Sequence, residues 1–93
     1  MVNLQITMRI AAGDRAAAAA VYNKYKQRFL QEVPGTASKD LLVREEDVQV
    51  AHVFDSEEHA KGYLNSDLFT KEVVKALEPL LQDAPDILLY ETV

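Results

Sequence analysis

His52 stands between Val50 and Phe54 at alternate positions, so in an extended chain its imidazole shares a face with two apolar side chains. A ring placed like that exchanges a proton near neutral pH and can orient a phenol against an apolar wall. The plain alternative is a core histidine held by a backbone carbonyl. Tyr63 brings a hydroxyl able to bond a ligand and a ring able to stack on one, against the alternative of simple packing with the hydroxyl satisfied. His59, beside Glu57 and Glu58, reads as a solvated side chain. Tyr22, Tyr25 and Tyr90 read as core or rim, and Arg9 as one half of an ion pair. A metal centre needs about three converging protein ligands, and the two histidines have no His-x-x-x-His spacing, so no metal is expected. Nothing resembles a nucleophile elbow, a phosphate loop or a dinucleotide fingerprint. Without cysteine the chain has no disulfide, no thiolate nucleophile and no cysteine-type zinc site.

The elements that would carry these side chains follow from periodicity. Val2, Leu4, Ile6, Met8 and Ile10 alternate with polar residues and predict a first strand. Gly13 and Asp14 end it, and Asp14 is expected to cap a helix that runs through the alanine-rich segment 16–20 to Pro34 and Gly35. Residues 38–44 and 48–55 read as a hairpin around the acidic tip Glu45-Glu46-Asp47, which puts His52 and Phe54 on the returning strand. Ser56 is placed to cap a short helix ending near Leu64, and the residues 65–67 to cap another that carries Phe69, Val73 and Leu77. Pro79 interrupts that helix, and 86–93 reads as the last strand.

The order strand, helix, strand, strand, helix, strand predicts an α+β, ferredoxin-like split βαβ: a four-stranded antiparallel sheet with its helices on one face. The whole chain, 1–93, reads as a single domain. Both predicted edge strands, around Leu41-Leu42-Val43 and Ile87-Leu88-Leu89, are apolar on two faces although helices cover only one. Open apolar edges favour association, so two copies are expected to pair their sheets into a barrel. A formal charge of −5 argues against general nucleic-acid binding, and Lys24, Lys26 and Arg28 read as a solvated cluster. No apolar run has the roughly 20 residues that span a bilayer, and with no leader pattern in view the expected location is the cytoplasm.

Residues 53–69 carry something more specific. An aromatic strand end at Phe54, an acid, Ser56-Glu57-Glu58, Tyr63, then Leu64, Ser66 and Phe69 resemble the antibiotic-biosynthesis-monooxygenase family of dimeric α+β barrels. Pro34-Gly35 and Glu78-Pro79-Leu80-Leu81 are similar to that family too. The resemblance implies a small homodimer with a cavity between helices and sheet, into which Tyr63 would project. That family includes cofactor-independent oxygenases acting on polyketides or quinols, and haem-degrading oxygenases. The haem-degrading members use an Asn, a Trp and a His ligand where this chain has Ile6, Tyr63 and Val73. A valine cannot ligate iron, so no haem and no other cofactor is expected. The polyketide oxygenases use Asn, Trp and Tyr near Val50, Phe54 and Ala60. The expected function is therefore a cofactor-independent monooxygenase-like activity on a small aromatic or quinol, with His52 as the catalytic proton acceptor. The expected cavity residues are Phe54, Tyr63, Tyr22, Tyr25 and Phe69. The alternative is a non-catalytic dimer of the same fold that binds a small ligand or has a structural role.

Overall fold

The computed structural model describes residues 1–93. Strand β1 (Val2–Met8) shows what the alternation requires: Val2, Leu4, Ile6 and Met8 are buried, while the residues between them remain partly open. That alternation marks a strand with one face covered and the other more open. β1 lies antiparallel to β3 (Val48–Phe54) on one side and β4 (Asp86–Glu91) on the other, and β3 pairs with β2 (Thr36–Val43). The sheet order β2-β3-β1-β4 is the ferredoxin-like one, with the first and third strands central. Ile10, in phase with β1 but beyond its end, makes an isolated bridge to Leu81.

Helix α1 (Arg15–Glu32) buries Ala18, Tyr25 and Phe29 against the sheet. Asp14 occupies its N-cap position, yet its carboxylate caps nothing. The chain enters through a tight 3-10 turn at Ala12–Asp14, leaving Asp14 at φ −102°, ψ 0° instead of the extended conformation that aims a cap at the helix amides. At the other end Gly35 sits at φ +78°, and a side chain there would collide with Asp55 and His59, so only glycine turns the chain into β2. Helix α2 (Glu57–Leu64) begins as its sequence predicts, with Ser56 Oγ accepting the His59 amide at 3.2 Å.

The third helical segment departs from a simple α-helix. Ser66 Oγ accepts the Phe69 amide at 3.2 Å, and the chain then winds as a π-helix over Leu68–Val73, as α3 over Val74–Leu77 and as a 3-10 turn over Glu78–Leu80. The wider turn, with its i to i+5 spacing, brings Leu68 and Val73 onto the core face together with Phe69. Pro79 has no amide hydrogen to continue the ladder. Arg28 on α1 grips Glu72 on this segment through two bonds of 2.8 and 3.2 Å, fixing one helical element against the other.

All helical elements cover one face of the sheet. On the other face, and along both edges, Leu42, Val43, Ile87, Leu88 and Tyr90 remain about half exposed. No helix is long and apolar enough to cross a membrane.

Candidate functional site

The register of the sheet brings two polar side chains to one place under α1. Lys39 on β2 pairs with His52 on β3, which pairs with Leu4 on β1. His52 is buried, and its Nδ1 lies 2.9 Å from the Leu4 carbonyl oxygen. A carbonyl only accepts, so Nδ1 carries the proton and Nε2 is left with a free lone pair. Burial holds the ring neutral, pushing its pKa down to about 4, with the nearby Lys39 charge acting in the same direction and the Leu4 bond opposing both.

Tyr63 projects from α2 into the same space. Its ring stands edge-on to Phe29 at 4.9 Å and tilted to His52 at 5.5 Å and Phe69 at 5.1 Å. Its hydroxyl is the buried side-chain polar atom without a hydrogen-bond partner. Leaving such a group unpaired costs about 1–3 kcal/mol. With no donor to stabilise the phenolate, burial raises the pKa of the phenol.

Lys39 completes the group, and the sequence reading did not single it out. Only 4% of its surface is exposed. Its Nζ lies 5.0 Å from the centroid of Phe29 and 5.8 Å from that of Tyr22, within the range of a cation–π contact, and it forms no ion pair. Burial lowers its pKa to about 8, helped by the charge of Lys26. The available signal was parity: Lys39 lies in phase with Leu41 on β2, hence on the helix-facing side, opposite His52.

These groups line a cavity of about 60 Å³ between α1, the third helical segment and the sheet. Tyr22, Tyr25, Phe69 and Val73 form apolar walls, and Ile6, Met8 and Val50 form the floor. The partly exposed Leu77, Leu81 and Pro85 and the exposed Val74 are where the cavity meets the surface. Tyr22 spends its hydroxyl elsewhere, donating to the Lys39 carbonyl at 2.7 Å. Phe54 does not reach the cavity. It is fully buried behind Phe29, whose ring meets it edge-on at 5.6 Å and fills the space between Phe54, Tyr63 and α1.

The remaining candidates lie apart. His59 faces Asp55 at 2.6 Å on the outer side of α2, and Arg9 pairs with Asp83 at 3.3 Å on the surface. Tyr90 is on the exposed sheet face. No three His, Asp or Glu side chains converge in a way that would hold a metal ion.

No protein-family model matches the chain, and no curated protein matches it by sequence. Its shape does find relatives. A candidate antibiotic biosynthesis monooxygenase from Caulobacter crescentus superposes with a TM-score of 0.85 at 19% identity, over 99% of this chain and 89% of that one. Another from Bordetella bronchiseptica gives 0.86 at 12% identity, over 99% and 96%. The fold is that of the proteins named antibiotic biosynthesis monooxygenases. A conserved protein from Methanosarcina mazei, whose name states no activity, superposes equally well, with a TM-score of 0.85 at 15% identity over 99% of this chain and 92% of that one. The antibiotic biosynthesis monooxygenase fold thus covers this chain from end to end, at identities that speak for architecture alone.

Proposed function

We propose that the chain belongs with the antibiotic biosynthesis monooxygenases in more than shape, and acts as a cofactor-independent monooxygenase on a small phenol or quinol. The observation that carries this reading is an apolar cavity lined by His52, which keeps a lone pair on Nε2, by Tyr63, whose buried hydroxyl has no partner, and by the unpaired Lys39. For a quinol the overall reaction is quinol plus O2 giving a hydroxyquinone plus water. The ring supplies the electrons, one oxygen atom enters at a C–H position, and the other leaves as water. The protein's part is to exclude water, hold the ring and take the phenolic proton at His52 Nε2. A phenolate forming beside His52 would raise the proton affinity that burial has lowered, because an adjacent negative charge favours the imidazolium.

Oxygen uptake over a panel of quinols tests the reading. The wild type should exceed the protein-free autoxidation rate, and His52→Ala should lose roughly 100-fold or more, the usual contribution of a general base. Equal rates in the two proteins would remove His52 from the mechanism, and no uptake with any quinol would remove the oxygenase.

One observation favours the second reading, a non-catalytic dimer that binds a small ligand or has a structural role. A cavity that holds benzene measures about 150 Å³, and the volume here is about 60 Å³, so a ring enters only if the third helical segment shifts. A co-purified small molecule found by native mass spectrometry, with no oxygen uptake, would support this alternative.

Both readings include a homodimer. The half-exposed Leu42, Leu88 and Tyr90 flank a polar centre of Asn3, Gln5 and Thr7 on the uncovered sheet face, a surface suited to a second copy. Light scattering at micromolar concentration should give twice the chain mass of 10.4 kDa, and a stable monomer would refute the pairing.

A further inference from the structure

We propose that Lys39 makes this cavity a site for a small, otherwise apolar molecule bearing one ionised oxygen, with Lys39 Nζ as its counter-charge and the Tyr63 hydroxyl as its hydrogen-bond donor. This inference deepens the proposed function, since it rests on the same cavity being the ligand site. An ammonium removed from water costs several kcal/mol unless an anion accompanies it. Around Lys39 no such anion stands. On β3 it faces His52, which is neutral; on α1 it faces Phe29, Tyr22 and the like charge of Lys26; on α2 lies the phenol of Tyr63. Asp40, the nearest carboxylate in sequence, points to the opposite face of β2.

Two further features point to a ligand instead of a purely structural lysine. The cavity is lined by Lys39 and Tyr63, and the Tyr63 hydroxyl is buried without any partner. Together they place one positive charge and one unpartnered O–H donor beside a space whose own surface is aliphatic and aromatic. An oxyanion satisfies both, whereas a neutral apolar molecule satisfies neither. The static volume of about 60 Å³ accommodates the oxygen-bearing head of a ligand. The body of the ligand extends toward Leu77, Leu81 and Pro85, where the cavity meets the surface. A phenolate and a carboxylate share this chemistry, and they differ in how the charge arises: the phenol must lose its proton in the site, whereas the carboxylate arrives ionised.

The experiment uses 4-nitrophenol, whose ionised form is coloured, and benzoate as a competitor. Bound to the wild type, nitrophenol should ionise at a pH about one unit lower than in solution, and the Lys39 side-chain NMR titration should move upward on binding. In Lys39→Met the phenol should bind neutral or not at all, while Lys39→Arg should keep part of the shift. Displacement by benzoate marks a general oxyanion site, and resistance to benzoate marks one that selects phenolates; both outcomes support the proposal. Equal binding by the wild type and Lys39→Met, or no binding of either probe with an unmoved Lys39 titration, would overturn it. Circular dichroism confirms that each variant is folded. If binding holds while no quinol drives oxygen uptake, the anion site stands and the oxygenase reading falls.

Discussion

Phe29→Ala is expected to destabilise the protein by about 3–5 kcal/mol, the range for removing a buried aromatic ring. The side chain is fully buried, and its ring is the hub of the aromatic cluster, meeting His52 at 5.2 Å, Phe54 at 5.6 Å and Tyr63 at 4.9 Å, all edge-on or nearly so. The face of its ring supports the Lys39 ammonium, which lies 5.0 Å from the centroid. The neighbours come from a central strand and from α2, so they cannot all move in to fill the gap, and the loss should lie at the upper end of the range. Urea unfolding should show a lower midpoint with an unchanged m-value. Leu30→Ala is the control: that side chain is 40% exposed on the outer turn of the same helix, and its loss should be well under half as large. A Phe29→Ala loss no greater than that of Leu30→Ala would mean that the cluster does not hold α1 to the sheet. The variant also enlarges the space beside the present cavity, so it should bind small apolar rings more tightly than the wild type does.

The sheet and its order were legible because burial writes itself into alternation. β1 and β3 are central, so every second residue is apolar, and no competing pattern disturbs them. The edge strands were legible from the element order, since the ferredoxin-like topology puts the first and third strands in the centre. The Ser56 cap could be read because a serine before two glutamates has few other roles. Asp14 could not, because the preceding 3-10 turn, not the identity of Asp14, decides whether its carboxylate reaches the helix amides. The π-helix at Leu68–Val73 also left no trace, because Phe69 and Val73 lie on one side at either an α or a π pitch.

The site was partly legible. His52 sat in phase with Val50 and Phe54, which placed it inside, whereas Tyr63 came from the family resemblance of residues 53–69. Phe54 shares that phase, yet phase gives the face and not the position along it. Phe29 from α1 covers Phe54 and leaves His52 at the cavity. Lys39 shows the limit in another way. Parity puts it on the inner face, but composition suggests that a lysine on an edge strand faces water. Only the aromatic rings of Phe29 and Tyr22 folding over it show that it does not.

Acidification should reveal His52 through stability. In an unfolded chain its imidazole has the ordinary pKa of 6.5, and in the folded protein burial lowers it to about 4. Between those values the unfolded chain takes up a proton that the folded one refuses, so the stability present above pH 6.5 is lost as the pH falls toward 4. At about 1.4 kcal/mol per pKa unit, the loss from this residue comes to roughly 3 kcal/mol. Asp47, Asp55 and Glu72, whose pKa values are lowered by Arg44, His59 and Arg28 respectively, also lose stability on acidification. The His52 contribution must therefore be read as a difference. His52→Gln is neutral at every pH and keeps an N–H able to reach the Leu4 carbonyl. Its stability should fall less steeply than that of the wild type from pH 6.5 to 4, and the gap between the two curves should narrow across that window by the amount given. Lys39→Met, by removing the like charge beside the ring, should raise the His52 pKa and give a shallower slope than that of the wild type. Parallel curves for wild type and His52→Gln would mean that the folded protein protonates His52 as readily as the unfolded chain does. The imidazole would then have to be open to water, and the dry cavity on which the proposed chemistry depends would not exist.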